Sequence, residues 1–231
     1  MTPEFSFNKS AIKAVECLKE AWSLIKGDYW LLFAISLVGA IVAGVTVYVL
    51  LGAMVCGIMG CYLKKIDGGM VKFEDLWAGM KYLVPSIPIA LLFVVPIVIY
   101  FVTMFVTMYS PLITIAVMGE KNVDSSVLLG MFAVAILIDI VVAVAMTVVH
   151  SLIIFAFPLL IDRKLNAIDA IKLSARASMK NIGGIAGLIV LQFAMVILGW
   201  LAFCVGLYLM IPILTATNLV AYRKVFPRIE V

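Results

Sequence analysis

MFAVAILIDIVVAVAMTVV, residues 131–149, is the stretch whose reading decides the fold. Among its nineteen positions stand one carboxylate, Asp139, and one hydroxyl, Thr147; the rest are apolar. A helix of about 20 residues crosses a hydrocarbon core of about 30 Å. A carboxylate at the centre of such a run costs about 3 kcal/mol or more. Asp139 is therefore expected to face a bundle interior and to find a partner there.

The surrounding chain extends the same text. Of its 231 residues 65% are hydrophobic and only 13% are charged, against about 25% charged in soluble domains. This predicts a single integral membrane domain over 1–231, an all-α, polytopic transmembrane helical bundle, with no room for a sizeable soluble module. Residues 8–26 mix lysines and glutamates and read as an amphipathic helix rather than a cleaved leader.

Four apolar blocks appear, at 29–63, 83–118, 127–161 and 182–222. A single helix over the first would be about 50 Å long at 1.5 Å per residue, well beyond the core. Gly39, Gly44 and Gly52 offer a turn, which predicts two short spans at 29–46 and 48–65. The fourth block holds two, at 182–200 and 201–222, turning near Gly199–Gly206. The middle blocks give spans at 83–109 and 127–149, each with an apolar appendage (110–118 and 151–161) that Pro111 and Pro158 set off. The expected total is about six.

Charge supports that count. With both termini in the cytoplasm, 16 of the 17 basic residues fall on the inner side, and only Lys121 falls outside. These clusters read as membrane-surface charge facing anionic headgroups rather than as a nucleic-acid footprint. The expected location is a bacterial cytoplasmic (inner) membrane.

The chain also resembles itself about 156 residues apart. Ala11-Ile12-Lys13-Ala14-Val15 aligns with Ala167-Ile168-Asp169-Ala170-Ile171, and Tyr62-Leu63-Lys64-Lys65-Ile66 with Tyr222-Arg223-Lys224-Val225. Each half is an amphipathic helix followed by a hairpin. In the first helix Ala11, Val15, Leu18, Trp22 and Ile25 form the apolar stripe. In the second, spanning 164–180, Ile168, Ile171, Ala175 and Met179 oppose Asp169, Lys172, Arg176 and Lys180, with Asn166 and Asp169 as a capping pair. Phe73, Leu76, Trp77 and Met80 make a shorter third stripe. Such stripes, with Trp and Lys, suit the membrane interface. Lys172, Arg176, Lys180, Lys13, Lys64 and Lys65 are the candidate lipid- or partner-facing cations.

Polar residues inside the spans are the other candidates. Counting from 127, Asp139 lies about 18 Å along its helix. Gln192 reaches a similar depth and could hydrogen-bond with it across helices. Tyr100, Thr103 and Thr107 lie outward of that pair; His150 and Asn218 lie inward. One reading joins all seven into a proton- or solute-conducting path. The other takes them as hydrogen bonds that fix helix packing.

The four cysteines, Cys17, Cys56, Cys61 and Cys204, form no CxxC, and His150 is the only histidine. No metal or other cofactor is expected. Nor is there an HExxH, a GxSxG, a P-loop or a dinucleotide fingerprint, so no catalytic role is expected.

Phe157-Pro158-Leu159-Leu160-Ile161-Asp162, followed by Ala167-x-x-Ala170-Ile171-x-x-Ser174, then Leu198-Gly199-Trp200, Gly206, Pro212 and Ala221-Tyr222-Arg223, resembles a family of uncharacterised bacterial integral membrane proteins. That family is related to the membrane domain preceding some glycerophosphodiester phosphodiesterases. The resemblance covers about 157–226 and implies a six-helix domain without the catalytic phosphodiesterase part. The functional expectation is a non-enzymatic, lipid-contacting scaffold or the membrane subunit of a larger assembly, with a protein partner or a second copy. The alternative is a small transporter or proton-coupled permease using Asp139.

Overall fold

The computed structural model describes residues 7–119, 124–202 and 205–228; Lys121 and Cys204 lie outside them. Among the described residues there are nine α-helices and no strand. They are α1 (Ala14–Ile25), α2 (Tyr29–Val45), α3 (Leu51–Ile66), α4 (Ile87–Met118), α5 (Ser125–Leu152), α6 (Ala156–Asp162), α7 (Ala167–Lys180), α8 (Ile182–Leu201) and α9 (Val205–Val225). A 3-10 segment spans Phe73–Tyr82. Five helical segments are long and apolar enough to cross a membrane: Ala14–Val45, Phe73–Met118, Ser125–Asp162, Ile182–Leu201 and Val205–Val225. The remaining long helix, α3, has 16 residues, about 24 Å at 1.5 Å per residue.

The chain divides into two compact units, one made of Met1–Ala90 and Leu152–Val231, the other of Leu91–Ser151. The first unit contains both repeat-like halves. From Ala14 to Ala167 and from Tyr29 to Ile182 the offset is 153 residues in each case, so α1-α2-α3 answers to α7-α8-α9 in order. Its core is aromatic: Tyr62, Tyr222, Phe155 and Phe226 are fully buried. The Tyr222 and Phe226 ring centroids lie 5.3 Å apart, and each lies 6.0 Å from Phe155. The α1 helix packs on α8 and α9. Buried Asn181, at the junction of α7 and α8, accepts from the Ala11 N–H at 3.0 Å and donates to the Asn8 carbonyl at 3.1 Å.

Two turns have specific causes. The α2–α3 hairpin reverses at Thr46–Leu50, where the left-handed residues are Val47 (φ 50) and Tyr48 (φ 64) rather than the glycines the sequence offers. Each such non-glycine residue costs about 1–3 kcal/mol. The bonds Tyr48 N–H to Ala43 carbonyl (2.9 Å) and Leu51 N–H to Tyr48 carbonyl (3.1 Å) hold them there. The 3-10 segment lies backbone to backbone on α3. A Cβ on Gly79 would sit 2.1 Å from the Ala53 carbonyl oxygen, and one on Gly57 would sit 2.1 Å from that of Leu76. The Ala53-x-x-x-Gly57 motif thus packs within the chain. On α8, Gly184 and Gly187 are the glycines that meet Ile12 and Ala14.

The second unit is α4, from Leu91, with α5. The α4 helix does not stop at Pro111; it runs through Pro96 and Pro111 to Met118. The apolar text after 149 continues α5 to Leu152 and then resumes as α6, which belongs to the first unit.

Candidate functional site

A proline inside a helix removes one N–H and opens the carbonyls of the turn before it. In hydrocarbon those carbonyls need other donors, or cost several kcal/mol each. Three prolines, Pro96 and Pro111 within α4 and Pro212 within α9, each have a side chain aimed at that turn. His150 on α5 places Nε2 2.9 Å from the Phe93 carbonyl, three residues before Pro96. Ser110 Oγ donates to the Thr107 carbonyl at 3.1 Å, four residues before Pro111. The Tyr29 hydroxyl donates to the Leu209 carbonyl, three residues before Pro212. His150 and Tyr29 reach across from other helices, so each also ties two helices together.

The His150 ring is further fixed. Its Nδ1 lies 2.9 Å from the Met146 carbonyl, and its edge meets the Phe93 ring at 4.3 Å between centroids. Both nitrogens therefore face acceptors.

Asp139 takes its partner from α4. Thr107 Oγ1 stands 3.1 Å from each Asp139 carboxyl oxygen. The same hydroxyl lies 2.9 Å from the Thr103 carbonyl and 3.1 Å from that of Met104. One hydroxyl hydrogen serves four oxygens, so the carboxyl receives at most a shared bond. Thr107 is buried, while Asp139, Thr103 and Tyr100 are half-buried. A hollow of about 410 Å³ lies beside Thr107 and Ser110, lined on the α5 side by Gly130, Val134 and Ala135.

Gln192 takes its partner from α9. Its Nε2 donates to Asn218 Oδ1 at 2.6 Å, joining α8 to α9. Asp139 and Gln192 each bond inside their own unit, because the rotation of each hairpin about its axes decides which polar side chains meet. The seven residues of the expected path are thus divided: Tyr100, Thr103, Thr107, Asp139 and His150 in one unit, Gln192 and Asn218 in the other.

At the Lys64 end of α3 a second cluster gathers. Arg223 donates through Nε and Nη2 to Asp67 at 2.9 and 2.7 Å, and through Nη1 and Nη2 to Asp162 at 2.8 and 2.9 Å. The Tyr222 hydroxyl donates to Asp162 at 2.6 Å. Arg163 lies 3.2 Å from the same carboxylate. This clasp joins the ends of α3, α6 and α9. In the sequence, Tyr222 and Arg223 stand out as a repeat signature and as part of the family resemblance, not as a clasp. The sequence signal for the clasp is an aspartate where each of two apolar runs ends, Asp67 just after α3 and Asp162 closing α6.

The candidate cations separate into two kinds. Lys13 pairs with Glu16 at 3.0 Å, Lys64 with Asp75 at 2.8 Å, and Lys65 with Asp28. The Lys64 ammonium, followed by the Lys72 N–H, holds the Asp75 carboxyl below its usual range. Lys172, Arg176 and Lys180 are exposed, with no carboxylate in ion-pair reach among the described residues. They belong to one of three sectors around α7. Ala167, Ala170, Ser174 and Ala177 are buried on the bundle. Ile168 and Met179 stand 60% and 56% exposed in a second sector, beside the basic third. The α1 helix repeats this plan: Cys17, Ala21 and Ile25 are buried, Val15 and Trp22 are exposed, and Glu16, Lys19 and Glu20 stand apart. Of the apolar stripes on α1 and α7, Val15, Trp22, Ile168 and Met179 face outward while Ile25 is buried. Most of the protein contact is made by small residues, Cys17, Ala21, Ala170, Ser174 and Ala177, as at helix interfaces in membranes. The cap of α7 is as expected, with Asn166 Oδ1 accepting from the Asp169 N–H at 2.9 Å.

No protein-family model, curated protein sequence or solved structure matches this chain.

Proposed function

We propose that this chain is a non-enzymatic protein of a bacterial cytoplasmic membrane, both termini inside. It acts as a lipid-contacting scaffold or as the membrane subunit of a larger assembly. The observation that carries this is the outer surface of α7. An exposed apolar sector lies directly beside an exposed basic one, whose three cations share their face with Asp169 but pair with no carboxylate among the described residues, the pattern of a helix lying in an anionic headgroup layer. The resemblance of residues 157–226 to a non-catalytic membrane domain supports the same reading.

The test is retention of phosphatidylglycerol after release from mixed-lipid nanodiscs, counted by native mass spectrometry. The triple variant Lys172→Gln, Arg176→Gln, Lys180→Gln is expected to retain fewer anionic lipids than the parent. Equal retention would sink the proposal.

A second reading, a small proton-coupled permease, draws on one feature: the hollow beside Thr107, the residue that holds Asp139. Under that reading Asp139→Asn abolishes decay of a pH gradient in proteoliposomes while the protein stays folded. Under the first, the variant and the parent leak alike.

A further inference from the structure

The first unit contains a cleft of about 260 Å³ between α3, the 3-10 segment and the ends of α6 and α9. Gly57 and Gly79 line its floor, where backbones touch and no side chain fits. Gly60 lines it too, but a Cβ there would meet nothing within 4 Å. The hollow is therefore open at Gly60 for no reason of packing.

Six charged residues line the cleft: Asp67, Asp75 and Asp162, and Lys64, Lys81 and Arg223. Their charges balance, but their hydrogen bonds do not. Both oxygens of Asp67 and of Asp162 are taken by Arg223, and Asp75 Oδ2 accepts from Lys64 and from the Lys72 N–H. The donors are in surplus. An ammonium has three hydrogens; Lys64 spends one of its three on Asp75. Lys81 has no carboxylate partner among the described residues, and its Nζ stands 5.1 Å from the Tyr82 ring centroid. Arg163, which neutralises part of Asp162, adds a further positive charge behind the clasp. With Asp67 and Asp162 held by Arg223 and Asp75 held through Oδ2, the ammonium hydrogens left on Lys64 and Lys81 are spare cationic donors, which fit a compact, acceptor-rich anion.

We propose that this cleft binds a phosphomonoester group, held by Lys81 and Lys64. Two sources share that chemistry, free inorganic phosphate and the headgroup of a phosphatidic acid. The lipid source deepens the reading given above and rests on it; the free ion does not.

The full chain in detergent is titrated calorimetrically with inorganic phosphate and with dioctanoyl phosphatidic acid. Dioctanoyl phosphatidylcholine, a diester, is the control. Saturable binding of phosphatidic acid alone assigns the site to a lipid; equal binding of both assigns it to the phosphate group itself. In either case Lys81→Gln and Gly60→Leu each weaken binding at least tenfold. Lys81 is exposed, so its variant decides the matter if Gly60→Leu does not fold. The α7 triple variant is expected to bind as the parent does, which separates this site from the surface tested above. The proposal is overturned if neither ligand titrates, if phosphatidylcholine binds as well, or if Lys81→Gln or a folded Gly60→Leu keeps the parent affinity.

Discussion

Arg223 Nη2 lies 2.7 Å from Asp67 Oδ2, closing a contact across 156 residues. With Asp162 on the other side of the guanidinium, three helix ends hang on one side chain. Removing a partner from a buried pair leaves the other charges uncompensated. Here the three side chains are 12–22% exposed, so Arg223→Gln is expected to cost about 2–3 kcal/mol, below the range for full burial. Thermal unfolding in detergent checks this, and Asp162→Asn in the same chain should return part of the loss.

The cap on the Pro96 turn makes a sharper prediction. His150→Phe keeps the aromatic contact with Phe93 but removes the ring nitrogen 2.9 Å from its carbonyl. The expected loss is about 1–2 kcal/mol. His150→Gln, which still carries a donor, should lose less. Equal losses in the two variants would show that the hydrogen bond contributes nothing.

Two glycines should answer oppositely to one methyl group. Gly79→Ala drives a Cβ to 2.1 Å from a backbone oxygen and is expected to cost about 1–3 kcal/mol, as overpacking does. Gly60→Ala enters open space in a helix interior, where alanine is favoured by about 0.5–1 kcal/mol. Paired unfolding curves test both signs.

Asp75 gives a pH signature. Its folded-state carboxyl is held low, chiefly by the Lys64 side chain. The stability this adds is present at pH values above the unfolded carboxyl value of about 3.9 and is lost as pH falls through the folded one. Asp75→Asn should flatten that acid-side loss and leave the neutral-pH difference small, since the pair is partly exposed.

Much of this architecture was written in apolar run length. The fold class and the two flanking hairpins follow from where charges interrupt the text, because a membrane tolerates few of them. The phase of α1 and α7 was harder to read. Hydropathy finds the oily face, and on an interfacial helix that face meets lipid. The protein-facing side is marked by size instead, by Ala170, Ser174 and Ala177. The partner of Asp139 was not legible, since it depends on how α4 turns about its own axis. Proline caps were legible in principle: Pro96 and Pro212 each demand a donor, and His150 and Tyr29 were available.

The joining of α1 to α9 has a consequence for biogenesis. Asn8 bonds to the Lys224 and Val225 carbonyls, Glu20 pairs with Lys224, and Cys17, Ala21 and Ile25 are buried with α9 among their neighbours. Of the neighbours of α1, α9 is made last, roughly 200 residues later. The seat of α1 is therefore complete only once residues near 225 have been made, and its final docking follows the insertion of the spans between.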